Sequence, residues 1–376
     1  MTSNLKKIAV VVPKYGLVGG GERFVFELTE RLANIPGYEI HVFSNKWRSA
    51  SDHITFHKIP IITFPKWLTS ISFAYLANRK IAKMNFDLIH SHDRVFKSNV
   101  VTLHSIPHRT WVRDIRQKRR PSLFDHGTSW TEKQMYKYSG CQMFLPVSSL
   151  VKIKVLEAFK IDERKIRVIH PGVDVERFQY DNPHNRKEIR QAFGISDTDF
   201  LILFVGMNFE VKGLDSLLSA IALLKSEYDN DQVKVLVIGK GDTKKYKTLA
   251  HRLGIGKQLI FSGVRNDMEK IYQAGDILVM LSKFDTFGMV VTEAMAASLP
   301  VIISETVGAK DLVIQGENGF VVDREDIKMI GSKINLMLNK VKRLEMGKKA
   351  HHTALNNTWE QMTLKVLNVY EALFVR

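Results

Sequence analysis

Short apolar runs recur along this chain, most of them leading into a stretch with helical spacing. That alternation narrows the possible folds more than any other feature. Ile8–Val12, Ile40–Ser44, Leu88–His90, Val100–Leu103, Met143–Val147 and Ile166–Ile169 read as strands. Between the first two, Glu22–Leu32 places Phe24, Leu28 and Leu32 on one helical face, and Ser148 stands where it can cap a helix after the fifth run. Repeated strand–helix units imply a parallel sheet with helices on both faces.

The pattern breaks at His170-Pro171-Gly172-Val173-Asp174, and Tyr180–Arg190 is polar and aperiodic. It restarts at Phe200–Gly206 and continues through Val233–Ile238, Leu259–Ser262, Ile277–Leu281 and Val301–Ser304. A chain of 376 residues exceeds one ordinary core. The prediction is an α/β protein of two Rossmann-like domains, residues 1–170 and 171–357. They are expected to face one another across a cleft at the C-terminal ends of the strands, where such sheets take ligands.

Residues 285–293 read Asp-Thr-Phe-Gly-Met-Val-Val-Thr-Glu, and Ala294-Met295-Ala296-Ala297 follows. A buried strand, a glycine loop and a helix present backbone N–H groups to a phosphate. Two carboxylates beside such a loop accept hydrogen bonds from hydroxyls, so the combination points to a sugar nucleotide. Gly19-Gly20-Gly21 occupies the first strand–helix turn, where backbone donors can approach an anion. It is no dinucleotide fingerprint, because Phe24 stands where the last glycine would be. Lys212, before Gly213, can neutralise charge on a leaving diphosphate. His104 ends a strand and as a neutral imidazole can donate to a sugar hydroxyl. His90 and His92 divide evenly between packing and acceptor contact, and His170 reads as a hinge residue. Asp197-Thr198-Asp199 precedes a strand in a polar loop, so it is read as a chance match to a metal-binding D-x-D, and no metal is expected.

Six stretches in a fixed order resemble the family 4 glycosyltransferases, retaining enzymes of the GT-B fold. These are Gly19–Arg23, Thr102-Leu103-His104, His170–Asp174, Val205-Gly206 with Lys212–Asp215, Asp285–Glu293 and Gly316-Glu317-Asn318-Gly319. The likeness is greatest to bacterial lipopolysaccharide-core sugar transferases, through His92-Asp93-Arg94, Thr102–His104 and the basic stretch beyond. Asp285 departs from the pattern, which carries glutamate there. The resemblance implies that Gly19 and Gly20 approach the donor diphosphate and the acceptor, that Lys212 contacts the donor phosphates, and that His104 lines the reaction centre. It also implies that Glu293 accepts from the ribose hydroxyls, while Asp285 faces the transferred sugar with the backbone donors of Phe287, Gly288 and Met289. The family's second phosphate-binding arginine is missing, with Met207 and Val211 at the obvious positions; Arg265 is the candidate substitute. A C-terminal helix over 358–376 is expected to cross back onto the first domain. The co-substrate would be a nucleoside diphosphate sugar, a UDP-sugar by preference, with no further cofactor.

The net charge of +16 is unevenly placed. Up to Arg167 there are 28 Lys and Arg against 13 Asp and Glu, and beyond it 27 against 26. The first domain therefore suits an anionic partner. Arg109, Arg113, Arg116, Lys118, Arg119 and Arg120 crowd together around Trp111. Ile59–Phe64, Trp67, Leu68, Ile71 and Phe73 add apolar side chains upstream. This mixture suits an anionic membrane surface carrying a glycolipid acceptor. No apolar run spans a bilayer, the apolar N-terminal run is too short for a signal peptide, and Cys141 is the only cysteine. A cytoplasmic protein, peripheral on the inner face of the cytoplasmic membrane, is expected. Two alternatives stand: a soluble transferase with a small-molecule acceptor, and a basic nucleic-acid-binding α/β protein. The second has no recognised nucleic-acid module, so nucleic acid is not expected as a partner.

Overall fold

The computed structural model describes residues 5–17, 19–49, 51–117, 120–138, 140–179, 183–228 and 232–375. The chain divides into two compact units, Met1–Gly172 with Trp359–Arg376, and Val173–Thr358.

Besides a two-residue pairing of Lys14–Tyr15 with Lys46–Trp47, the described part of the first unit carries a six-stranded parallel sheet: β1 (Lys6–Val11), β2 (Tyr38–Ser44), β3 (Ile54–Lys58), β4 (Leu88–Ser91), β5 (Val100–Leu103) and β6 (Met143–Pro146). Their order is β3-β2-β1-β4-β5-β6, so the strand order reverses between β1 and β4. Chain that leaves neighbouring strands in opposite directions opens a crevice there, and α/β sheets bind ligands in it. Helix α1 (Gly20–Ala33) follows β1 and buries Phe24, Val25, Leu28 and Leu32. Helix α2 (Leu68–Ile81) buries Phe73, Ala77 and Ile81 against Val11, Phe43 and Ile59. Helix α3 (Leu123–Tyr138) packs on α2, and Gly127 makes that approach possible: a Cβ there would lie 2.5 Å from the Trp67 carbonyl oxygen. Ser148 caps α4 (Ser149–Ala158) by accepting from the Val151 N–H at 3.3 Å. A cap of this kind contributes about 1 kcal/mol.

The second unit repeats the plan with β7 (Phe200–Met207), β8 (Val233–Lys240), β9 (Leu259–Gly263), β10 (Ile277–Met280), β11 (Val301–Ser304) and β12 (Gly319–Val322). Its order, β9-β8-β7-β10-β11-β12, puts the reversal between β7 and β10. Phe200–Phe204, Ile277–Met280 and Val301–Ser304 are buried throughout, as continuous apolar runs in a covered parallel sheet must be. Its longer helices are α5 (Pro183–Ala192), α6 (Leu214–Tyr228), α7 (Thr243–Arg252), α8 (Met268–Ala274), α9 (Met289–Ala296), α10 (Ile327–Leu338) and α11 (Lys340–Leu355).

Helix α12 (Trp359–Phe374) belongs to the first unit. It buries Trp359, Met362, Val366, Val369 and Tyr370, and Glu360 pairs with Arg31 at 2.7 Å. The Tyr38 hydroxyl donates to Glu371 of the same helix.

Three sequence expectations change. The strand expected over Ile166–Ile169 is reduced to one bridge, Phe144–Ile166, although Arg167 and Ile169 donate to the Phe144 and Pro146 carbonyls. Pro146 has no N–H to return, so a full ladder cannot form. Residues 183–190, expected to be irregular, lie in α5, where Ile189 and Arg190 are buried. Arg190 enters the interior because Asp276 accepts from it at 2.7 Å, and the carbonyls of Ala274, Ser196 and Asp199 take its other donors. Strands β3 and β12, and the two-residue strands Lys14–Tyr15 and Lys46–Trp47, are additional to those expected.

Candidate active site

In the second unit, two loops meet beyond the β7/β10 reversal. Gly213 has φ +79°, and a Cβ there would lie 2.0 Å from the Leu281 carbonyl oxygen, so only glycine lets the loops touch. The Lys283 N–H donates to the Val211 carbonyl at 2.7 Å, fastening them together. Lys212 and Asp285, one on each loop, then meet as an ion pair, with about one-fifth of either side chain exposed. Gly206 leaves room for the lysine stem, since a Cβ there would come within 2.7 Å of Lys212 Cγ. The Asp285 backbone is pinned too: its N–H donates to Thr306 at 2.9 Å and its carbonyl accepts from Gly308 at 3.0 Å. Asp285 Oδ1 accepts from the Phe287 N–H at 3.1 Å. Gly288, left-handed at φ 89°, turns the chain into α9, whose first residue is Met289. The structure therefore joins Lys212, Asp285, Phe287, Gly288 and Met289 in one place.

Glu293 is the fifth residue of α9, beyond its first turn. It therefore lies past the residues whose N–H groups have no partner within that helix. Glu293 Oε2 instead accepts from the buried hydroxyl-bearing ring of Tyr272 at 2.9 Å. The sequence reading missed Tyr272; it lies on a short helix of mixed polarity and nothing in its spacing marks it. Arg265 donates twice to Asp267, at 2.8 and 2.6 Å, and lies over the Phe193 ring. Its charge is already balanced by a neighbour two residues away.

In the first unit, a cavity of about 300 Å³ opens at the β1/β4 reversal, lined in part by Lys14, Gly21, Glu22, His92, Asp93 and His104. Gly19 precedes α1 and Gly20 and Gly21 begin it. The Glu22 carboxylate folds over Gly19, within 2.1 Å of where a Cβ would be. The Gly21 backbone abuts the His104 ring; a Cβ there would lie 3.3 Å from its Cγ. Burial pushes His104 down to about 4, so the ring is neutral at ordinary pH. His104 Nε2 shares a hydrogen bond with His92 Nδ1 at 3.1 Å. His90 is a packing residue, held by the Tyr370 hydroxyl at 2.6 Å and Thr102 at 2.8 Å.

The second unit thus carries a lysine–aspartate pair and a tyrosine-held glutamate, and the first a neutral histidine at a cavity. The family model for glycosyltransferase family 4 matches residues 18–177, and the model for glycosyl transferases group 1 matches residues 185–353. An uncharacterised glycosyltransferase of Methanocaldococcus jannaschii is 25% identical over 97% of this chain and 98% of its own length. The crystal structure of WaaG, a glycosyltransferase involved in lipopolysaccharide biosynthesis, matches with a TM-score of 0.79 at 18% identity, over 96% of this chain and 99% of that one. Anabaena HepE, solved with UDP and glucose, matches with a TM-score of 0.74 at 18% identity, over 97% and 99% of the two chains. The chain is a GT-B glycosyltransferase.

The basic stretch of this glycosyltransferase is less uniform than its sequence implies. Arg109, Arg113, Arg116 and Arg120 are exposed, while Lys118 and Arg119 lie outside the described residues. Arg113 is held bidentately by Asp114, at 2.5 and 2.9 Å, and Arg116 pairs with the buried Asp125 at 3.1 Å. Of the apolar residues upstream, Ile59 and Phe73 belong to the core. Ile62, Phe64 and Trp67 are exposed, Phe64 by 87%. Leu123 and Phe124, at the start of α3, are exposed as well, and the Gly127 contact brings that helix against Trp67. The start of that helix therefore lies near Trp67, and its Asp125 holds Arg116. Among the described residues, no helix is long and apolar enough to cross a membrane, and no group of three or more His, Cys, Asp or Glu could hold a metal ion.

Proposed function

We propose that this glycosyltransferase moves a sugar, with retention at the anomeric carbon, from a nucleoside diphosphate sugar to a membrane-associated glycolipid. The product would belong to lipopolysaccharide core or a related cell-envelope glycan. The observation that carries the donor assignment is the Lys212–Asp285 pair at the reversal of the second sheet. Lys212 offers a cation to a diphosphate, Asp285 and the Phe287–Met289 backbone face the sugar, and the Tyr272-held Glu293 accepts from ribose hydroxyls. The bond from C1 to the diphosphate oxygen breaks, and the acceptor oxygen bonds C1 on the same face. The acceptor proton passes to the departing diphosphate. No side chain serves as nucleophile; catalysis rests on orientation and charge stabilisation. UDP is the favoured nucleotide, supported by its presence in the HepE structure.

The first unit would bind the acceptor at the cavity beside His104, and its exposed Ile62, Phe64, Trp67, Leu123 and Phe124 with Arg109, Arg113, Arg116 and Arg120 would rest on anionic lipid at the inner face of the cytoplasmic membrane. Amphipathic surfaces rimmed by arginine bind headgroup regions in this way. Two experiments test the reading. A thermal-shift panel of UDP-, GDP- and ADP-sugars should show stabilisation by UDP-sugars, and no shift with any of them would remove the donor assignment. Flotation with anionic liposomes should carry the protein upward; a chain that stays in solution favours a small soluble acceptor.

A further inference from the structure

His104 is one of two linked imidazoles, and the second has no assigned part in the reaction. His92 follows β4 at the reversal of the first sheet, where its N–H donates to Val11 at 2.9 Å. His92 is 7% exposed, and its ring lies 4.2 Å from that of His90, which Tyr370 and Thr102 hold on either side. His92 Nδ1 meets His104 Nε2 at 3.1 Å with the rings nearly parallel, at 23°. Phe24 meets the other ring edge-on at 5.1 Å, and the Gly21 backbone closes a further side. His104 therefore has one nitrogen committed to His92, and Nδ1 is the only one left for a ligand.

Burial lowers the proton affinity of both rings, that of His104 to about 4 and that of His92 well below the ordinary value. Lys14, Glu22, Asp93, Arg94, Glu132 and Tyr136 line the cavities that His92 and His104 share, and His90 lies behind. Two neutral imidazoles joined by one hydrogen bond hold a single proton on it, and its polarity fixes both tautomers. His92 Nε2 decides the polarity. It is buried and has no hydrogen-bond partner among the described residues. A buried N–H without an acceptor is rarer than an acceptor left short, so the proton of His92 belongs on Nδ1. His92 then donates, His104 Nε2 accepts, and the His104 proton lies on Nδ1.

We propose that His92 is a positioning residue that holds His104 in the Nδ1–H tautomer, so that His104 presents a hydrogen-bond donor to the acceptor sugar or to the charge developing beside it. This rests on the role given to His104 above. His92 acts through the His104 ring. It fixes which His104 nitrogen carries the proton and the direction in which that proton points.

The test is nitrogen-15 NMR of the histidine rings in the full chain, without any ligand. The wild type should show His104 as a single Nδ1–H tautomer near pH 7. His92→Asn keeps an amide donor where Nδ1 stood and should leave that signature in place. His92→Leu keeps the bulk without the donor and should move His104 to mixed or Nε2–H shifts. An Nε2–H signal from His104 in the wild type would overturn the proposal, as would unchanged His104 shifts in His92→Leu. In UDP release from UDP-sugar with cell-envelope lipid extract, His92→Leu should lower kcat about 10²-fold with donor KM unchanged, and His92→Asn should recover most of it. His104→Ala separates the two levels: full activity there defeats the role of His104. An inactive His104→Ala beside a fully active His92→Leu defeats only the proposal about His92.

Discussion

Lys212→Met removes one charge and little else. The methionine side chain retains most of the stem that lies over Gly206, so packing at that contact is conserved. The folded protein loses the partner of Asp285, but both side chains are about one-fifth exposed and water can reach the carboxylate. Stability should fall by only about 1–2 kcal/mol, between the values for exposed and fully buried pairs. Turnover should fall much further. A unit charge at about 4 Å from an ammonium gains about 4 kcal/mol at an effective dielectric of about 20. Removing a preorganised donor of this kind costs about 10²–10³ in kcat. The discriminating assay is single-turnover cleavage of the donor, with urea unfolding run alongside. A rate within about threefold of wild type, in a protein that remains folded, would refute the assignment of Lys212 to the leaving diphosphate.

Three further outcomes follow from the geometry. Gly213→Ala should destabilise the protein by about 3 kcal/mol or more, because a Cβ at φ +79° would lie 2.0 Å from a backbone oxygen; a urea midpoint close to wild type would contradict it. Tyr272→Phe removes the 2.9 Å bond to Glu293 and should weaken UDP-sugar binding several-fold in calorimetry at a stability cost of about 1 kcal/mol; unchanged affinity would show that the hydroxyl does not hold the carboxylate. Burial depresses His90 to about 3 and His104 to about 4, with His92 also lowered. Between pH 6.5 and about 4 the unfolded chain therefore binds protons that the folded chain does not. Each ring should remove up to about 1.4 kcal/mol per pH unit as the pH falls through that window, and contribute no dependence above it. A midpoint that is flat from pH 6.5 to 4.5 would mean the rings are not buried neutral.

The sheets are largely legible in the sequence because strands covered on both faces are continuous apolar runs. Strand β3 escapes that logic: it is an edge strand, and His57 and Lys58 interrupt its apolar character. Helix α5 escapes it for the opposite reason. Its polarity reads as surface, yet Arg190 is buried because Asp276, 86 residues later, receives it. Pairings across such distances leave no local trace. The same holds for the site. Lys212 and Asp285 stand out individually through their glycine loops, and the fold brings them together. Tyr272 and His92 act on neighbours distant in sequence, and only the folded chain shows which carboxylate or imidazole they hold.

Lys212, Asp285 and Glu293 of the second unit are proposed to grip a nucleoside diphosphate sugar. Isothermal titration of a UDP-sugar into wild type and Glu293→Ala tests it most directly. Saturable binding by the wild type, weakened at least tenfold by the substitution, is the expected result. Equal affinity in the two proteins would contradict it.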